Sequence, residues 1–406
     1  MLESTRKIAV VGFSARAASQ CARRQGFEVI AVDVCKDRDL LCDCQEHYQL
    51  HETNWHVAFN ANYPTVPILL TGGMENRTQW IEKCQSSAWR SRPIAIQLQT
   101  MRSMDNWAAW ALAVDLGWPV TLRDIDRIQR VDELFPGREW LIKPFAGAGG
   151  NGIVEWTGNE GRDWALSNEP KTCYIQQRLP GDSIGVTFLS SKVGSTVVGA
   201  TASWKSEASF MGGPVYAYRG SYGPIALPCE QLERLQRFAT LVGIESGLLG
   251  LWQADFLLHQ GELTLLEINP RWSASMELLD VGLSTPLIQY HYACIRDSLS
   301  RERFLQIAAE CFEQAQRSRK SMIGKLIVYA SLPCEVTQLQ SDKWWSQRWT
   351  GDMNCNANRY QFADIPNPTT EVSVGDPLLT VMATGSSPEA IMAELQQGKI
   401  EILDRS

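Results

Sequence analysis

Short apolar runs alternate along the chain with longer amphipathic stretches, and each change of period marks an element. Lys7 to Gly12, KIAVVG, is an apolar run ending in glycine, Ala15 to Gln25 has helical composition, and Phe27 to Val32 is a second run closed by Asp33. This order predicts a βαβ opening. Val66 to Leu70 predicts another strand, running into Thr71-Gly72-Gly73-Met74-Glu75-Asn76, a turn that opens a helix through Cys84. Met101 to Val120 predicts a helix with a Gly117-Trp118-Pro119 break. Trp140 to Pro144 and Ile153 to Trp156 read as strands on either side of a glycine loop, and Tyr174 to Leu189 as a strand, a Pro180-Gly181 turn and another strand. Leu251 to Leu258 and Leu263 to Ile268 flank Gln260-Gly261 and predict a β-hairpin. A helical stretch, Pro286 to Arg317, leads into Gly324 to Ala330, where short strands and turns begin, with a helix near Pro388 to Gln397.

Two acids break the apolar pattern of the hairpin. Asp255 and Glu267 stand inside its strands, and a carboxylate buried among apolar side chains costs several kcal/mol unless a cation offsets it. With Asn269 they supply three oxygen ligands from adjacent strands, the outline of a Mg²⁺ site that leaves positions open for water and phosphate. Arg271 adds a planar donor fork for a carboxylate or phosphoryl group. The alternative is a core hairpin whose acids face solvent, because strands alternate faces.

A second polar feature lies upstream. Lys143 ends an apolar strand and precedes the loop Phe145 to Gly152, FAGAGGNG, with glycines at 147, 149, 150 and 152. In a phosphate loop that opens a helix the lysine follows the glycines. Here strands flank the loop, so it reads as a hairpin tip able to close over phosphates with backbone N–H groups, Lys143 acting as a point charge. A glycine-rich hairpin without a ligand is the alternative. The 174–189 stretch offers a linker for an adenine ring, with Gln177 and the backbone of Arg178 and Leu179 at its edge and Asp182 or Ser183 near the ribose. Glu75 and Asn76, at the carboxyl end of a parallel strand, are substrate-site candidates, or else a solvated acid and a helix cap. Ser273, Ser275 and Glu277 line a pocket or cap the following helix.

Composition narrows the class. The 406 residues suffice for two or three domains, the 44% hydrophobic content is that of a soluble globular protein, and no run is long enough to span a membrane or resembles an export signal. The expected location is the cytoplasm. A net charge of -7 argues against nucleic acid as partner. GFSARAA lacks the three-glycine fingerprint of a dinucleotide fold. Cys42, Cys44, His47 and His51 lack paired zinc-ligand spacing, so the segment 35–56 reads as a surface loop, and the eleven cysteines as reduced thiols.

Lys143 with its glycine loop, the 174–183 linker, Asp255 and Glu267-Ile268-Asn269-Pro270-Arg271 together resemble the ATP-grasp superfamily in order and spacing. The resemblance covers most of the chain. It implies a mixed α/β and α+β multidomain fold: a Rossmann-like domain over 1–100, an ATP-grasp domain of two α+β subdomains over 101–318, and a small C-terminal β-rich domain over 319–406, like that of biotin carboxylases. It implies ATP and Mg²⁺, or Mn²⁺, as cofactors. The metal would be held by Asp255, Glu267 and Asn269. Lys143, Gly147, Gly149, Gly150, Gln177, Arg178, Leu179, Asp182 and Ser183 would hold ATP, with Lys143 and Arg271 acting on the transferring group. A second ATP lysine, present in many members, is replaced here by Ser103-Met104-Asp105-Asn106, so Arg102 substitutes or the contact is absent.

GFSARAA, GGMEN, YRGSYGP at Tyr218 to Pro224 and the ADIPNP to VGDPLLTV tail look like ATP-grasp proteins of one-carbon cofactor synthesis, whose relatives are similar to tyramine–glutamate ligase of methanofuran biosynthesis. The implied activity joins an acid to an amine through an acyl phosphate, with small-molecule acid and amine as partners and a homodimer left open as the assembly. Tyr216, Tyr218 and Tyr222 are candidates for the wall of an aromatic-amine pocket. Bicarbonate activation of the biotin-carboxylase kind and a nucleotide-binding regulator without turnover are the competing readings.

Overall fold

A computed structural model of the chain describes residues 6–52, 54–83, 101, 103–124, 127–128, 130–158, 172–205, 213–317, 321–352 and 360–403. The first sheet is parallel, in the order β3-β2-β1-β4, built from β1 (Lys7–Val11), β2 (Glu28–Asp33), β3 (Glu46–Gln49) and β4 (Ile68–Leu70). β1 and β2 are apolar almost throughout, as strands covered on both faces must be. Helix Arg16–Arg24 packs Ala18, Cys21 and Ala22 on one side. Strand order reverses between β1 and β4, and at such a reversal the loops leaving the carboxyl ends part to form a crevice.

A small antiparallel sheet, β5-β8-β6-β7, comes from β5 (Thr121–Leu122), β6 (Trp140–Pro144), β7 (Val154–Glu155) and β8 (Cys173–Gln177). The large sheet runs β13-β12-β9-β10-β11-β14-β18-β16. Its members are β9 (Asp182–Ser191), β10 (Gly194–Ser203), β11 (Ser221–Ile225), β12 (Gly250–His259), β13 (Glu262–Asn269), β14 (Met322–Tyr329), β16 (Tyr360–Ala363) and β18 (Pro377–Gly385). A ribbon of β15 (Cys334–Glu335) and β17 (Glu371–Val372) stands apart. The strands of the tail extend the large sheet: β14 pairs with β11 through Tyr222–Gly324 and Gly223–Ile323.

Three of the cores among the described residues pack on the large sheet. Helix Cys229–Ser246 sets Leu232, Leu235, Phe238, Ala239 and Val242 at helical spacing against one face of the large sheet, where Phe188 stacks on Trp252 at 4.2 Å. The helix stops at Gly247, whose φ of 64° suits glycine. Leu189, Val198 and Leu251 share a second core with helices Leu287–Ile295 and Arg301–Gln316 and with the parallel sheet. Leu326, Phe362, Val381 and Leu395 centre a third core in the tail.

Several elements differ from the sequence pattern. The helix expected over Met101 to Val120 is Met104–Leu112, capped by the Ser103 hydroxyl and followed by Asp115 at φ 61°. The 286–317 stretch is two helices, divided near Asp297 at φ 53°. Pro180-Gly181, expected as a turn within a linker, joins β8 of the small sheet to β9 of the large one, so its two strands belong to different sheets. The expected end of the 75–84 helix at Cys84 lies outside the described residues. Among those residues no helix is long and apolar enough to cross a membrane, and their nine cysteines are all free.

Candidate active site

The hairpin of β12 and β13 turns at Gln260-Gly261, with φ 50° and 86°, the two positive values that a tight two-residue turn requires. Asp255 lies directly opposite Glu267. One step further the register slips: Phe256 pairs with Leu265, leaving Leu266 as the extra residue of a β-bulge. Leu265 and Glu267 are two apart and in a regular strand would share a face. The bulge keeps Leu265 in the core beside Phe256 and turns Glu267 to the face of Asp255. Gln253 and Asn269 form the next pair on that face. From β9, Gly185 opposes Asp255, and a Cβ there would stand 2.8 Å from the Gln253 amide nitrogen.

Hydrogen bonds fix this face. Gln253 Nε2 donates to Asp255 Oδ1 at 2.8 Å, and Ser275 Oγ donates to Gln253 Oε1 at 2.9 Å. Asn269 Nδ2 donates to Asp255 Oδ2 at 3.0 Å and Glu267 Oε1 at 3.3 Å, while its Oδ1 accepts from Arg271 Nη2 at 2.9 Å. Arg271 is held on every side. Its Nε donates to Glu75 Oε1 at 2.8 Å and its Nη1 to Trp272 O and Ser273 Oγ. The Trp272 N–H donates to Leu70 O at 2.9 Å, tying this corner to the end of β4.

Burial, together with the facing Glu267, pushes the Asp255 carboxyl up to about 7. Burial would raise Glu267 as well, but Lys143, hydrogen bonds from Asp255 and Asn269, and Arg271 outweigh it and hold Glu267 below the usual range. Two facing carboxylates cannot both ionise cheaply without a cation between them. The donor set suits a hard divalent ion: two half-buried carboxylates and a buried amide, with arginine to one side. Asn269 turns its NH₂ toward the carboxylates, so ligation by Oδ1 requires the opposite amide orientation.

Lys143 reaches the same space from the small sheet. It is buried, its Nζ donates to Gln176 Oε1 at 2.8 Å, and burial lowers its pKa against the pull of Glu267 and Asp255. Lys143 lies opposite Tyr174 in the β6–β8 pairing, which puts Gln176, two residues on, on its face and Gln177 on the other. Gln177 accepts a bond from Arg138 instead. The sequence reading missed Gln176. Nothing in the sequence sets it apart from Gln177 beside it; only the register of β6 and β8 does.

The glycine loop is seated between two other elements. Asn76 Nδ2 donates to Ala146 O at 3.1 Å and Gly147 O at 3.2 Å, and the Tyr218 N–H donates to Gly149 O at 2.8 Å. Gly149, Gly150 and Gly152 all have positive φ. Of the linker residues, the Arg178 N–H donates to Glu139 O at 2.8 Å and its side chain pairs with Glu139 and Glu155. Asp182 pairs with Lys205 at 2.7 Å, and Leu179 and Ser183 are half-buried.

The three tyrosines do not form one wall. Tyr216 bonds Glu155, Tyr218 bonds Ser221, and Tyr222 packs on Trp204 at 4.5 Å. Glu75 is buried on Arg271 and not solvated. Glu277 is committed to Arg16 and Lys325. In the Cys/His segment, His47 Nε2 pairs with Asp33 at 2.8 Å, and no group of three or more His, Cys, Asp or Glu side chains placed to hold a metal is found among the described residues. Arg102 lies outside them.

Residues 117–275 match the profile of the family described as ATP-grasp domain, and this part of the chain is an ATP-grasp domain. A 64-residue stretch is 34% identical to the carbamoyl phosphate synthase large chain of Helicobacter pylori, covering 16% of this chain and 6% of that protein. The chain thus spans a small part of that relative's length. Among solved structures, the L-amino acid ligase of Bacillus licheniformis is similar over 98% of this chain and 97% of its own, at 12% identity and a TM-score of 0.64. The biotin carboxylase domain of Hydrogenobacter thermophilus 2-oxoglutarate carboxylase, crystallised as a dimer with MgADP and bicarbonate, is similar over 98% of this chain and 89% of its own, at 12% identity and a TM-score of 0.66. These likenesses establish a shared fold along the whole chain.

Proposed function

We propose that the protein is an ATP- and Mg²⁺-dependent ligase that joins a carboxylate to an amine, releasing ADP and phosphate, within a chain organised as 1–100, 101–318 and 319–406. The observation that carries this reading is the convergence of Lys143 from the small sheet, Asp255 and Glu267 from the large sheet, and Arg271 beside the crevice of the parallel sheet. ATP would lie between the two antiparallel sheets, its adenine at the 177–183 linker and its phosphates under the 145–152 loop. Lys143 offsets phosphate charge, and Arg271, held by Asn269 and Glu75, orients the carboxylate that attacks the γ-phosphoryl group. Asp255, Glu267 and Asn269 would hold Mg²⁺, or Mn²⁺, which when bound neutralises the transferring phosphoryl oxygens. The acyl phosphate then yields to the amine. Orientation and charge carry this chemistry without a protein nucleophile.

Full-length neighbours include an L-amino acid ligase, which supports an amino acid such as glutamate as the acid. A cytoplasmic role in methanofuran or one-carbon cofactor synthesis, with a primary aromatic amine, is the finer proposal. Bicarbonate activation is a second reading, favoured by the equally extensive likeness to the biotin carboxylase domain. Phosphate release from ATP, screened against acids and amines with products identified by mass, separates them. The ligase reading expects ADP and an amide. AMP with pyrophosphate, or ATP cleavage that needs bicarbonate and ignores every amine, overturns it.

A further inference from the structure

We propose that Asn76 is the positioning residue that seats the glycine loop over the nucleotide. Asn76 ends the short turn Met74–Asn76 after β4, so the parallel sheet holds it independently of the loop. Its amide nitrogen carries two hydrogens and serves the Ala146 and Gly147 carbonyls together, at 3.1 and 3.2 Å. On the opposite flank the Tyr218 N–H takes the Gly149 carbonyl, and Gly150 sits so close that a Cβ would lie 1.8 Å from Tyr216 O. The tip of the hairpin is thus held by two elements outside its own sheet.

This grip sets where the loop's donors point. In a trans peptide the C=O and the next N–H face opposite ways. Fixing the Gly147 carbonyl on Asn76 and the Gly149 carbonyl on Tyr218 aims the N–H groups of Ala148 and Gly150 away from those partners, as a phosphate-binding loop requires. The preceding residue, Glu75, holds Arg271 at 2.8 Å. One turn therefore sets the loop and the arginine in a fixed relation, so the phosphate donors are aligned with the acid to be activated.

The inference rests on the nucleotide reading of the site, and the experiment separates the two. MgADP affinity is measured by calorimetry on the full-length wild type, Asn76→Asp and Asn76→Ala, with hydrogen exchange of residues 145–152 with and without MgADP, and melting of each protein without nucleotide. Asp keeps the shape of Asn but sets carboxylate oxygens against two carbonyls; Ala simply removes both bonds. Asn76→Ala should weaken MgADP by about tenfold, the worth of two neutral hydrogen bonds. Asn76→Asp should weaken it further. In both, the slowing of loop exchange by MgADP should shrink while melting changes little. Wild-type affinity and loop protection in both variants overturn the role of Asn76 and leave the nucleotide site intact. Melting lowered in both variants with unchanged loop protection makes Asn76 an ordinary tie between domains and also overturns it. Failure of the wild type to bind MgADP overturns the nucleotide reading itself.

Discussion

Asp255 and Glu267 face each other on adjacent strands, with Asn269 and Gln253 donating to them and Lys143 and Arg271 as their cations. Glu267→Gln keeps the shape and removes one charge of a like-charged pair. It should fold with little loss of stability and lose ATP turnover, read as phosphate release at saturating Mg²⁺. Activity near the wild type would remove the metal role. The pair also gives stability a pH signature. Asp255 titrates at about 7 when folded, against an ordinary 3.8, so without metal the folded protein keeps a proton that the unfolded chain has released. That contribution is complete below the unfolded value and is lost as pH rises through the folded one. Denaturant unfolding should show the wild type losing stability relative to Asp255→Asn between about pH 4 and 7. A constant gap would contradict it. The acids were legible in sequence because each interrupts an apolar strand. Gln176 was not separable from Gln177, since only the register of β6 and β8 shows which faces Lys143.

The hairpin could be read from Gln260-Gly261 between apolar runs, because local turn chemistry determines it. Its bulge at Leu266 could not, because an extra residue is defined only against a partner strand. The same limit applies to Pro180-Gly181, legible as a turn within a linker, whose two flanking strands belong to different sheets. The glycine loop was legible as a flexible tip, while its seating on Asn76 and Tyr218 arises from contacts far apart in sequence. Two neighbouring glycines test that seating. Both have positive φ, yet a Cβ at Gly149 meets nothing within 4 Å, whereas one at Gly150 meets Tyr216 O. Gly149→Ala should bear the backbone strain alone, about 1–2 kcal/mol. Gly150→Ala should also unseat the loop and weaken MgADP at least tenfold further by calorimetry. Equal affinities would mean that the loop closes without this contact.

Across the whole molecule, distant parts of the chain meet at Arg16, which is fully buried. It pairs with Glu277 beside the large sheet, Asp364 of the tail at 2.8 Å and Asp39 of the parallel sheet region at 3.7 Å, while Lys325 of β14 bonds Glu277 at 3.3 Å. Nothing in the local pattern singles out Arg16, since its partners lie up to 348 residues away. Arg16→Met should cost about 3–5 kcal/mol in urea unfolding by leaving buried carboxylates without their cation. Adding Glu277→Gln and Asp364→Asn should recover much of it, and a loss from Arg16→Met below about 1 kcal/mol would show that the hub contributes little. The resemblance carried by Lys143, Asp255 and EINPR anticipated a mixed α/β fold, which the chain shares with solved structures over 98% of its length. The central claim is that this arrangement activates a carboxylate as an acyl phosphate. The most direct measurement labels the carboxylate of the acid found by the ATP-cleavage screen with ¹⁸O and follows the label by mass after turnover with Mg²⁺ and amine. The account predicts one ¹⁸O in the released phosphate, with ADP as the nucleotide product; phosphate free of label, or label carried into AMP, would contradict it.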